Sequence, residues 1–257
     1  MDDTPRGLDL GRLIEQVEPS GDLHQVRQDF TRFMMRYRFG MDEVVTKLSI
    51  LRDEYAHLHE ENPIENISSR LKRPESIVEK MSRKGTEPSF DSIEKTITDI
   101  AGVRVTCSFV SDVRRVFDQL CSQADVTVVD VRDYIQTPKP NGYRSLHALL
   151  EVPVFLTDGP APVVVEVQMR TIAMDFWAST EHKIFYKYRD DVPPSLLEGL
   201  KEAAESAAVL DTRMEQLHTQ MRTVGQLPPE IEDELRHSEA LVPDETFLRR
   251  LHQMGEV

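Results

Sequence analysis

The sequence predicts a mixed α+β fold in which a β-sheet of about five strands is flanked by N- and C-terminal helices. Three observations lead to this fold class. Apolar residues recur at every second position in several segments between residues 100 and 170, which is the spacing of half-buried strands. They recur at helical spacing on both sides of this region. A chain of 257 residues that is 39% hydrophobic can also bury a sizeable core.

The N-terminal helical region spans residues 24–60, where apolar side chains recur at intervals of three and four. Gly40 weakens a helix at its middle, so one long helix and two shorter helices both fit the pattern. Asn62-Pro63 ends the region, because proline cannot continue a helix. A second, short helix is predicted from Pro74, which suits a first helical turn, to Lys84.

The central sheet is predicted from alternating segments at residues 102–109, 126–132, 145–152 and 162–169, with a helix at about 111–122 between the first two. Alternation puts the apolar residues of these segments on one face of the sheet. The opposite face receives Arg104, His147, Glu166 and Gln168. A solvated sheet surface would also alternate. The concentration of reactive side chains on one face nevertheless favours a concave polar site.

The C-terminal part is predicted to be helical at residues 172–188, about 195–224, 228–237 and 244–254. We thus predict a flexible N-terminal segment at 1–23, a central domain at 24–190 and a helical extension at 191–257. Within the extension, apolar residues are spaced alternately by four and three, namely Leu210, Met214, Leu217, Met221 and Val224. This stripe could pack on the core or mediate self-association.

Composition excludes several classes of partner. The formal net charge of −14 opposes association with nucleic acid. No apolar run approaches the length of about 20 residues that a membrane span requires, and no signal peptide is evident. Cys107 and Cys121 form no CxxC or zinc-binding spacing. We therefore expect a cytoplasmic protein that binds neither membranes nor nucleic acid.

Residues 70–84 form a basic segment on this acidic chain. Its six basic side chains are Arg70, Lys72, Arg73, Lys80, Arg83 and Lys84, against two acids, Glu75 and Glu79. A segment of this size suits a small polyanion such as a nucleoside triphosphate. A solvated helix face with Glu and Lys pairs is an equally ordinary interpretation.

The turn at Lys139–His147 combines cations, an aromatic ring and an imidazole. Pro140 fixes its own φ, and Gly142 permits a conformation that other residues avoid, so Tyr143 follows a constrained bend. A ring held there could stack on a base. The alternative is an ordinary hairpin turn whose Tyr143 and His147 cap the core.

Two carboxylates are candidate metal ligands: Asp99 just before the first central strand and Glu166 within the last. Mg²⁺ prefers a few protein oxygens together with phosphate oxygens, so two acids near the basic segment suit a magnesium–nucleotide complex. Asp99 could instead cap the start of the strand.

Three segments resemble, in order and spacing, the synthetase domain of the RelA/SpoT alarmone enzymes. They are Asp99–Arg104 (DIAGVR), Asn141–His147 (NGYRSLH) and Glu166–Thr171 (EVQMRT). The preceding Arg70–Lys72 and Ser76–Lys84 match the same pattern. Together they cover roughly residues 60 to 190, and their joint occurrence is specific although each alone is weak. The resemblance implies a nucleotidyltransferase-like synthetase domain.

The resemblance also implies a reaction: transfer of the β,γ-pyrophosphate of ATP to the 3′-hydroxyl of GDP or GTP, and possibly GMP, giving (p)ppGpp and AMP. Arg70 and Arg104 would sandwich the adenine. The ATP phosphates would be held by Lys72, Lys80, Arg83 and Lys84. Asp99 and Glu166 would bind Mg²⁺, and Glu166 would draw the proton from the acceptor hydroxyl.

On the acceptor side, the resemblance implies that Tyr143 stacks on guanine. Four further residues would contact acceptor phosphates or support the pocket, namely Arg132, Lys139, Arg144 and His147. Gln168 and Arg170 would hold the polar face of their strand. The family's effector cleft uses an aromatic residue near Asn66 and an asparagine near Asp175, so both changes predict little activation by pppGpp.

The resemblance also leads us to expect a small synthetase that acts in one direction and assembles as a homotetramer. His57 and His59 lie in a predicted helix without the His-Asp pair of the family's hydrolase domain. Two alternatives remain open from the sequence. One is a toxin-type relative that modifies the 3′ end of tRNA, which the net charge of −14 opposes. The other is an inactive nucleotide-binding regulator.

Overall fold

The computed structural model describes residues 23–59, 61–87, 89–188 and 193–224. The predicted flexible segment, apart from Leu23, and the predicted helices at 228–237 and 244–254 lie outside these residues. In chain order the elements are α1 (Leu23–Leu58), β1 (Ile64–Leu71), α2 (Pro74–Lys84), α3 (Phe90–Thr96), β2 (Ala101–Cys107), α4 (Val110–Cys121), β3 (Thr127–Asp133), β4 (Leu146–Leu156), β5 (Gly159–Thr171), α5 (Ile172–Tyr188) and α6 (Pro194–Val224).

The five strands form one mixed sheet in the order β1-β2-β5-β4-β3. β2 and β5 are parallel, and the other neighbouring pairs are antiparallel. The predicted α+β class is therefore confirmed. The apolar face of the sheet packs with α1 and α4 into one core, whose fully buried members include Val44, Leu48, Val105, Leu120 and Val165.

α1 is a single continuous helix of 36 residues, which decides between the two interpretations of this segment. Gly40 lies where the helix crosses β5. A Cβ atom at Gly40 would stand only 2.6 Å from Cγ1 of Val163. The glycine therefore reflects close helix–sheet packing rather than a break in the helix.

Two elements were not predicted individually. β1 is an edge strand in which Ile64 is buried while most of its other residues are exposed, so its apolar alternation is weak. α3 has only seven residues, fewer than a periodic pattern needs for recognition. The predicted segments at 145–152 and 162–169 are also longer in the structure, where they extend to Leu156 and begin at Gly159.

α5 and α6 form a second, smaller packing unit beside the sheet. Trp177, Leu200 and Ala204 are buried together, and Tyr143 packs against them. Asp211 of α6 accepts a hydrogen bond of 2.7 Å from the Thr171 hydroxyl. Burial raises the pKa of Asp211, although that hydrogen bond opposes the rise. α6 is thereby fixed to the start of α5 and to the Tyr143 turn.

Candidate active site

The polar sheet face is formed by side chains that stand opposite one another on neighbouring strands. One row crosses all five strands and consists of Ser68, Arg104, Gln168, His147 and Arg132. The next row consists of Arg70, Gly102, Glu166, Leu149 and Asp130. Along β4 and β5, the residues between these positions are buried on the other face. The predicted division into an apolar face and a polar face is therefore confirmed.

A lysine–aspartate cluster, formed by Lys72, Lys80 and Asp99, lies at the edge of this face. Lys72 follows β1 and donates to Asp99 Oδ2 at 2.9 Å, while Lys80 of α2 donates to Oδ1 at 2.8 Å. Burial alone would raise the pKa of Asp99, but the hydrogen bonds and charges of the two lysines outweigh it and lower the pKa. The carboxylate is therefore ionised and paired twice.

The remaining basic residues of this segment lie around the cluster. Lys84 donates to the carbonyl oxygen of Thr96 at 2.8 Å, and Arg83 is exposed on α2. Arg70 stands opposite Gly102, the neighbour of Glu166 in the same row. A Cβ atom at Gly102 would approach only the Arg70 carbonyl oxygen, at 3.6 Å. The sheet surface between Arg70 and Glu166 is therefore open.

Glu166 lies at the centre of the polar sheet face. Gln168 Nε2 donates to its Oε2 at 2.9 Å, and His147 Nδ1 lies 3.5 Å from its Oε1. Burial favours a raised pKa for Glu166, but the hydrogen bonds from His147 and Gln168 lower it. The charge of Asp99 acts on Glu166 in the opposite direction, so the two predicted metal ligands are electrostatically coupled.

Arg170 connects the groups around Glu166. We call the residues Asp175, Arg170, Gln168, Tyr143 and His147 the Arg170 network. Arg170 Nη2 donates to the Tyr143 hydroxyl at 2.5 Å and to Gln168 Oε1 at 2.9 Å, and Nη1 donates to Asp175 Oδ1 at 3.0 Å. Because arginine only donates, Gln168 must direct its amide nitrogen to Glu166.

The same donor-only property orients His147. The Tyr143 oxygen receives a hydrogen bond from Arg170, so its own proton is available to His147 Nε2, which lies 2.7 Å away. His147 then carries its proton on Nδ1, the nitrogen that faces Glu166. The hydrogen bonds thus run in one direction, from Arg170 through Tyr143 to His147, whose Nδ1 faces the Glu166 carboxylate at 3.5 Å.

The turn before β4 constrains Tyr143 from the backbone side. Gly142 has φ of 89°, the positive value expected for it, and a Cβ there would lie 2.5 Å from Cβ of Ala204. Tyr143 N donates to Asn141 Oδ1 at 3.2 Å. The Lys139 ammonium lies 4.8 Å from the centroid of the Tyr143 ring. The ring is therefore held by the turn, by α6 and by a cation.

Two of the predicted acceptor residues lie further from Glu166. Arg132 is on the edge strand β3, exposed, and paired with Asp130 at 3.0 Å. Arg144 donates to the Ile135 carbonyl oxygen at 2.9 Å. Its side chain lines a separate cleft that also contains Asp211. This geometry fits the supporting role of Arg144 rather than contact with an acceptor phosphate.

Asp175 of α5 is a site residue that sequence reasoning did not assign to this network. Its Oδ1 lies 3.4 Å from Arg104 Nη1 and accepts from Arg170 Nη1. Burial, followed by the charge of Arg170, lowers the pKa of Arg104, and Asp175 opposes this effect. The charge of Asp175 is thus shared by two arginines, which weakens its expected repulsion of an effector phosphate. No local sequence motif predicts this contact.

The described residues suit Mg²⁺ only when nucleotide phosphates supply part of its coordination shell. Within the described ranges no group of three or more His, Cys, Asp or Glu side chains could hold a metal ion. Mg²⁺ does not require such a group, because one or two carboxylates suffice when phosphate oxygens complete the shell. Asp99 and Glu166 fit that requirement. No helix in the described part of the chain is long and apolar enough to cross a membrane.

Comparison with known proteins gives a consistent relationship. Residues 69–191 match the family described as a region found in RelA/SpoT proteins. GTP pyrophosphokinase YwaC of Bacillus subtilis is 52% identical over 193 residues, which cover 75% of this chain and 92% of that protein. The crystal structure of small alarmone synthetase 2 from the same organism has a TM-score of 0.68 and 49% identity, over 75% of this chain and 99% of that one.

A further similar structure is small alarmone synthetase 1 from Bacillus subtilis bound to its product pppGpp. It has a TM-score of 0.70 and 38% identity, over 75% of this chain and 98% of that one. The matched residues 69–191 include the lysine–aspartate cluster and the Arg170 network. The chain therefore belongs to the RelA/SpoT family, among the small alarmone synthetases.

Proposed function

We propose that this protein is a GTP pyrophosphokinase that transfers the β,γ-pyrophosphate of ATP to the 3′-hydroxyl of GDP or GTP. The observation that carries the proposal is the polar sheet face. An ionised carboxylate, Glu166, lies there between a doubly paired aspartate and an aromatic ring that is fixed by hydrogen bonds. Phosphoryl transfer needs mainly such positioning and charge stabilisation.

The ATP subsite is assigned to the side of β1 and β2. Arg70 and Arg104 lie in adjacent cross-strand rows on the polar face, and their flat guanidinium groups suit the two faces of adenine. Lys72 and Lys80 would hold the phosphates, together with Arg83 and Lys84. To do so, the two lysines of the cluster must exchange the Asp99 carboxylate for phosphate oxygens.

That exchange would also make Asp99 available to Mg²⁺. With the lysines on the phosphates, Asp99 and Glu166 would hold the ion together. The bound ion would neutralise phosphate charge and orient the pyrophosphate for transfer. Asp99 is already ionised, because the lysines lower its pKa. The carboxylate is therefore ready for a cation at neutral pH.

The acceptor subsite is assigned to Tyr143, whose ring would stack on guanine. Lys139 covers this ring and would have to move aside for the base. Lys139, Arg132 and His147 would then be close to the acceptor phosphates or support the pocket, as would Gln168 through its hold on Glu166.

The chemical step balances without a covalent enzyme intermediate. The 3′-oxygen of the acceptor attacks the β-phosphorus of ATP. The bond from that phosphorus to the oxygen bridging the α-phosphorus breaks, and AMP leaves with this oxygen. The proton of the 3′-hydroxyl passes to Glu166, whose lowered pKa keeps it ionised as a base.

Self-association through α6 belongs to the same proposal. Four side chains of the stripe named from the sequence are exposed on α6, namely Leu210 at 53%, Met214 at 46%, Leu217 at 40% and Met221 at 72%. Such a surface does not pack on the core of its own chain and suits a homo-oligomeric contact, for which we propose a homotetramer.

Cys107 and Cys121 are free thiols, which fits a reducing, cytoplasmic location.

The test is incubation of the purified protein with ATP, Mg²⁺ and, separately, GMP, GDP and GTP, followed by anion-exchange separation. The proposal predicts AMP and a 3′-pyrophosphorylated guanosine product in matching amounts. Unchanged guanine nucleotides, with ATP still bound, would indicate an inactive regulator. Product on tRNA alone would indicate the toxin-type activity. Light scattering at several protein concentrations tests the tetramer.

A further inference from the structure

Arg170 is the most deeply enclosed charged residue of the site. It is 4% exposed, although its neighbours on the polar face remain accessible. A buried guanidinium is costly unless its charge is paired and its N–H groups are bonded. Asp175 supplies the charge and Tyr143 and Gln168 accept from Nη2, whereas Nε is buried without a hydrogen-bond partner among the described residues. Arg170 is therefore a buried cation whose contacts hold Asp175, Tyr143 and Gln168 in place.

The bond to Tyr143 determines how the ring is presented. At its backbone end the ring is set by the turn at Gly142, and at its hydroxyl end it meets Arg170 and His147. The guanidinium carbon of Arg170 also lies 5.1 Å from the ring centroid. A ring that is fixed at both ends loses little further freedom when a base stacks on it.

The hydrogen bond to Asp175 extends the network across the polar face of the sheet, towards β1 and β2. Asp175 Oδ1 is shared between Arg170 and Arg104. The Arg104 side chain is 42% exposed, so a ligand can reach it, whereas the Arg170 side chain is 5% exposed. One carboxylate oxygen therefore joins an accessible arginine to the buried arginine that holds Tyr143.

We propose that Arg170, held by Asp175, is a positioning residue that fixes Tyr143 for the acceptor base and links it to Arg104. This role rests on the proposed function for the identity of the two ligands. Arg170 is 4% exposed, and we assign it no direct contact with either nucleotide. It acts through the ring on one side and through the shared carboxylate on the other.

Replacing Arg170 itself would remove one of the two partners of Asp175 and leave a cavity behind, so loss of folding could imitate loss of positioning. Substitutions at the two ends of the network remove a single group each and disturb the packing less. Tyr143→Phe keeps the ring and removes only the hydroxyl, and Asp175→Asn keeps the shape and removes the charge. Asp158→Asn is a matched control, because Asp158 pairs with Arg32 at the β4–β5 hairpin, remote from the network.

The readout is the dissociation constant of GDP in the single variants, the double variant and the control, measured by calorimetry without turnover. Each single change is expected to weaken GDP binding about fivefold, the value of one hydrogen bond. If both act through Arg170, the double variant is weakened no further than the larger single effect. The control leaves binding unchanged. Binding of a non-hydrolysable ATP analogue is weakened by Asp175→Asn but not by Tyr143→Phe.

Two results would overturn the positioning role: multiplication of the single effects to about 25-fold in the double variant, or GDP affinities equal to wild type in both single variants. Weakened binding of the ATP analogue in Tyr143→Phe as well as in Asp175→Asn would indicate general loosening and would also overturn it. If GDP binding in the single and double variants follows the expected pattern but the wild-type protein shows no turnover, only the proposed reaction would be contradicted. A wild-type protein that binds no GDP would contradict both.

Discussion

The two sides of the polar sheet face are held together in different ways. On the side of β1 and β2, the lysine–aspartate cluster consists of two ion pairs, from Lys72 and Lys80 to Asp99. On the side of β4 and β5, the Arg170 network is built from directional hydrogen bonds around Tyr143. The exposed fraction of the Lys80 side chain is 22%, against 5% for Arg170.

This difference matches the two ligands proposed for the site. A triphosphate is flexible and highly charged, so ion pairs that can be exchanged suit it. A guanine ring needs a fixed partner, so a ring set in place before binding suits it. Glu166 lies at the junction, where it accepts from the network and feels the charge of Asp99.

The largest effect is expected at this junction. Glu166→Gln should lower kcat by about 10²–10⁴-fold, because the amide cannot accept the hydroxyl proton. Nucleotide affinities should stay near wild type. The comparison is Glu151→Gln, which lies on the same face of β4 opposite Val164 and should retain activity. Near-normal turnover in Glu166→Gln would contradict its role as base.

The acceptor side should be sensitive to the backbone. Gly142 has a positive φ, which is strained for alanine, and the new Cβ of Gly142→Ala would lie only 2.5 Å from Cβ of Ala204. The turn or α6 must therefore shift. We expect kcat/KM for GDP to fall at least about tenfold, since small misplacements in a site are costly. KM for ATP should change little.

Gly85→Ala separates the two causes of that loss. Gly85 also has a positive φ, of 63°, but a Cβ there would meet nothing within 4 Å. This variant should lower the melting temperature through backbone strain of about 1 kcal/mol and leave kinetics unchanged. Equal kinetic losses in both variants would show that the fixed position of Tyr143 is not what matters.

The ATP side should respond to charge. Lys80→Gln removes a cation and is expected to raise KM for ATP about tenfold, as for loss of one charge-assisted hydrogen bond. KM for GDP should remain unchanged. Lys47→Gln is the control, because Lys47 of α1 pairs with Asp125 in a similar lysine–aspartate contact. A rise in KM for GDP alone would reverse the assignment of the two sides.

The smallest effect concerns stability and pH. The folded-state pKa of Asp99 is below its ordinary value of 3.8, so its ion pairs stabilise the fold above that value. Their contribution is lost as the pH falls through the lowered pKa. Wild type should therefore exceed Asp99→Asn by roughly 1 kcal/mol in the free energy of unfolding at neutral pH. The difference should shrink below pH of about 4, as urea titrations can measure. A constant difference down to pH of about 3 would contradict the pairing.

Much of this architecture could be predicted from local pattern. The alternation in β4 and β5 identified the polar face, because one face was rich in Val and Leu while the other carried His147 and Glu166. The positive φ of Gly142 followed from the turn sequence. The edge strand β1 could not be predicted in the same way, because it buries few side chains and its period of two is weak.

The contacts between distant elements were beyond the sequence. Lys72, Lys80 and Asp99 were each predicted as site residues, yet nothing in the chain indicated that they would pair with one another. Asp175 joined the network only because α5 begins where β5 ends and contacts both β5 and β2. Such contacts depend on tertiary placement, which periodicity does not encode.

The most direct measurement follows the transferred atoms. The protein is incubated with GDP and Mg²⁺ and with ATP labelled either at the α- or at the γ-phosphate, and the products are separated. The account predicts that the γ-label appears only in a guanosine product carrying a new 3′-pyrophosphate, while the α-label appears in an equal amount of AMP. Release of the γ-label as inorganic phosphate, or its transfer to the 5′-phosphate of GDP, would contradict pyrophosphate transfer on this sheet face.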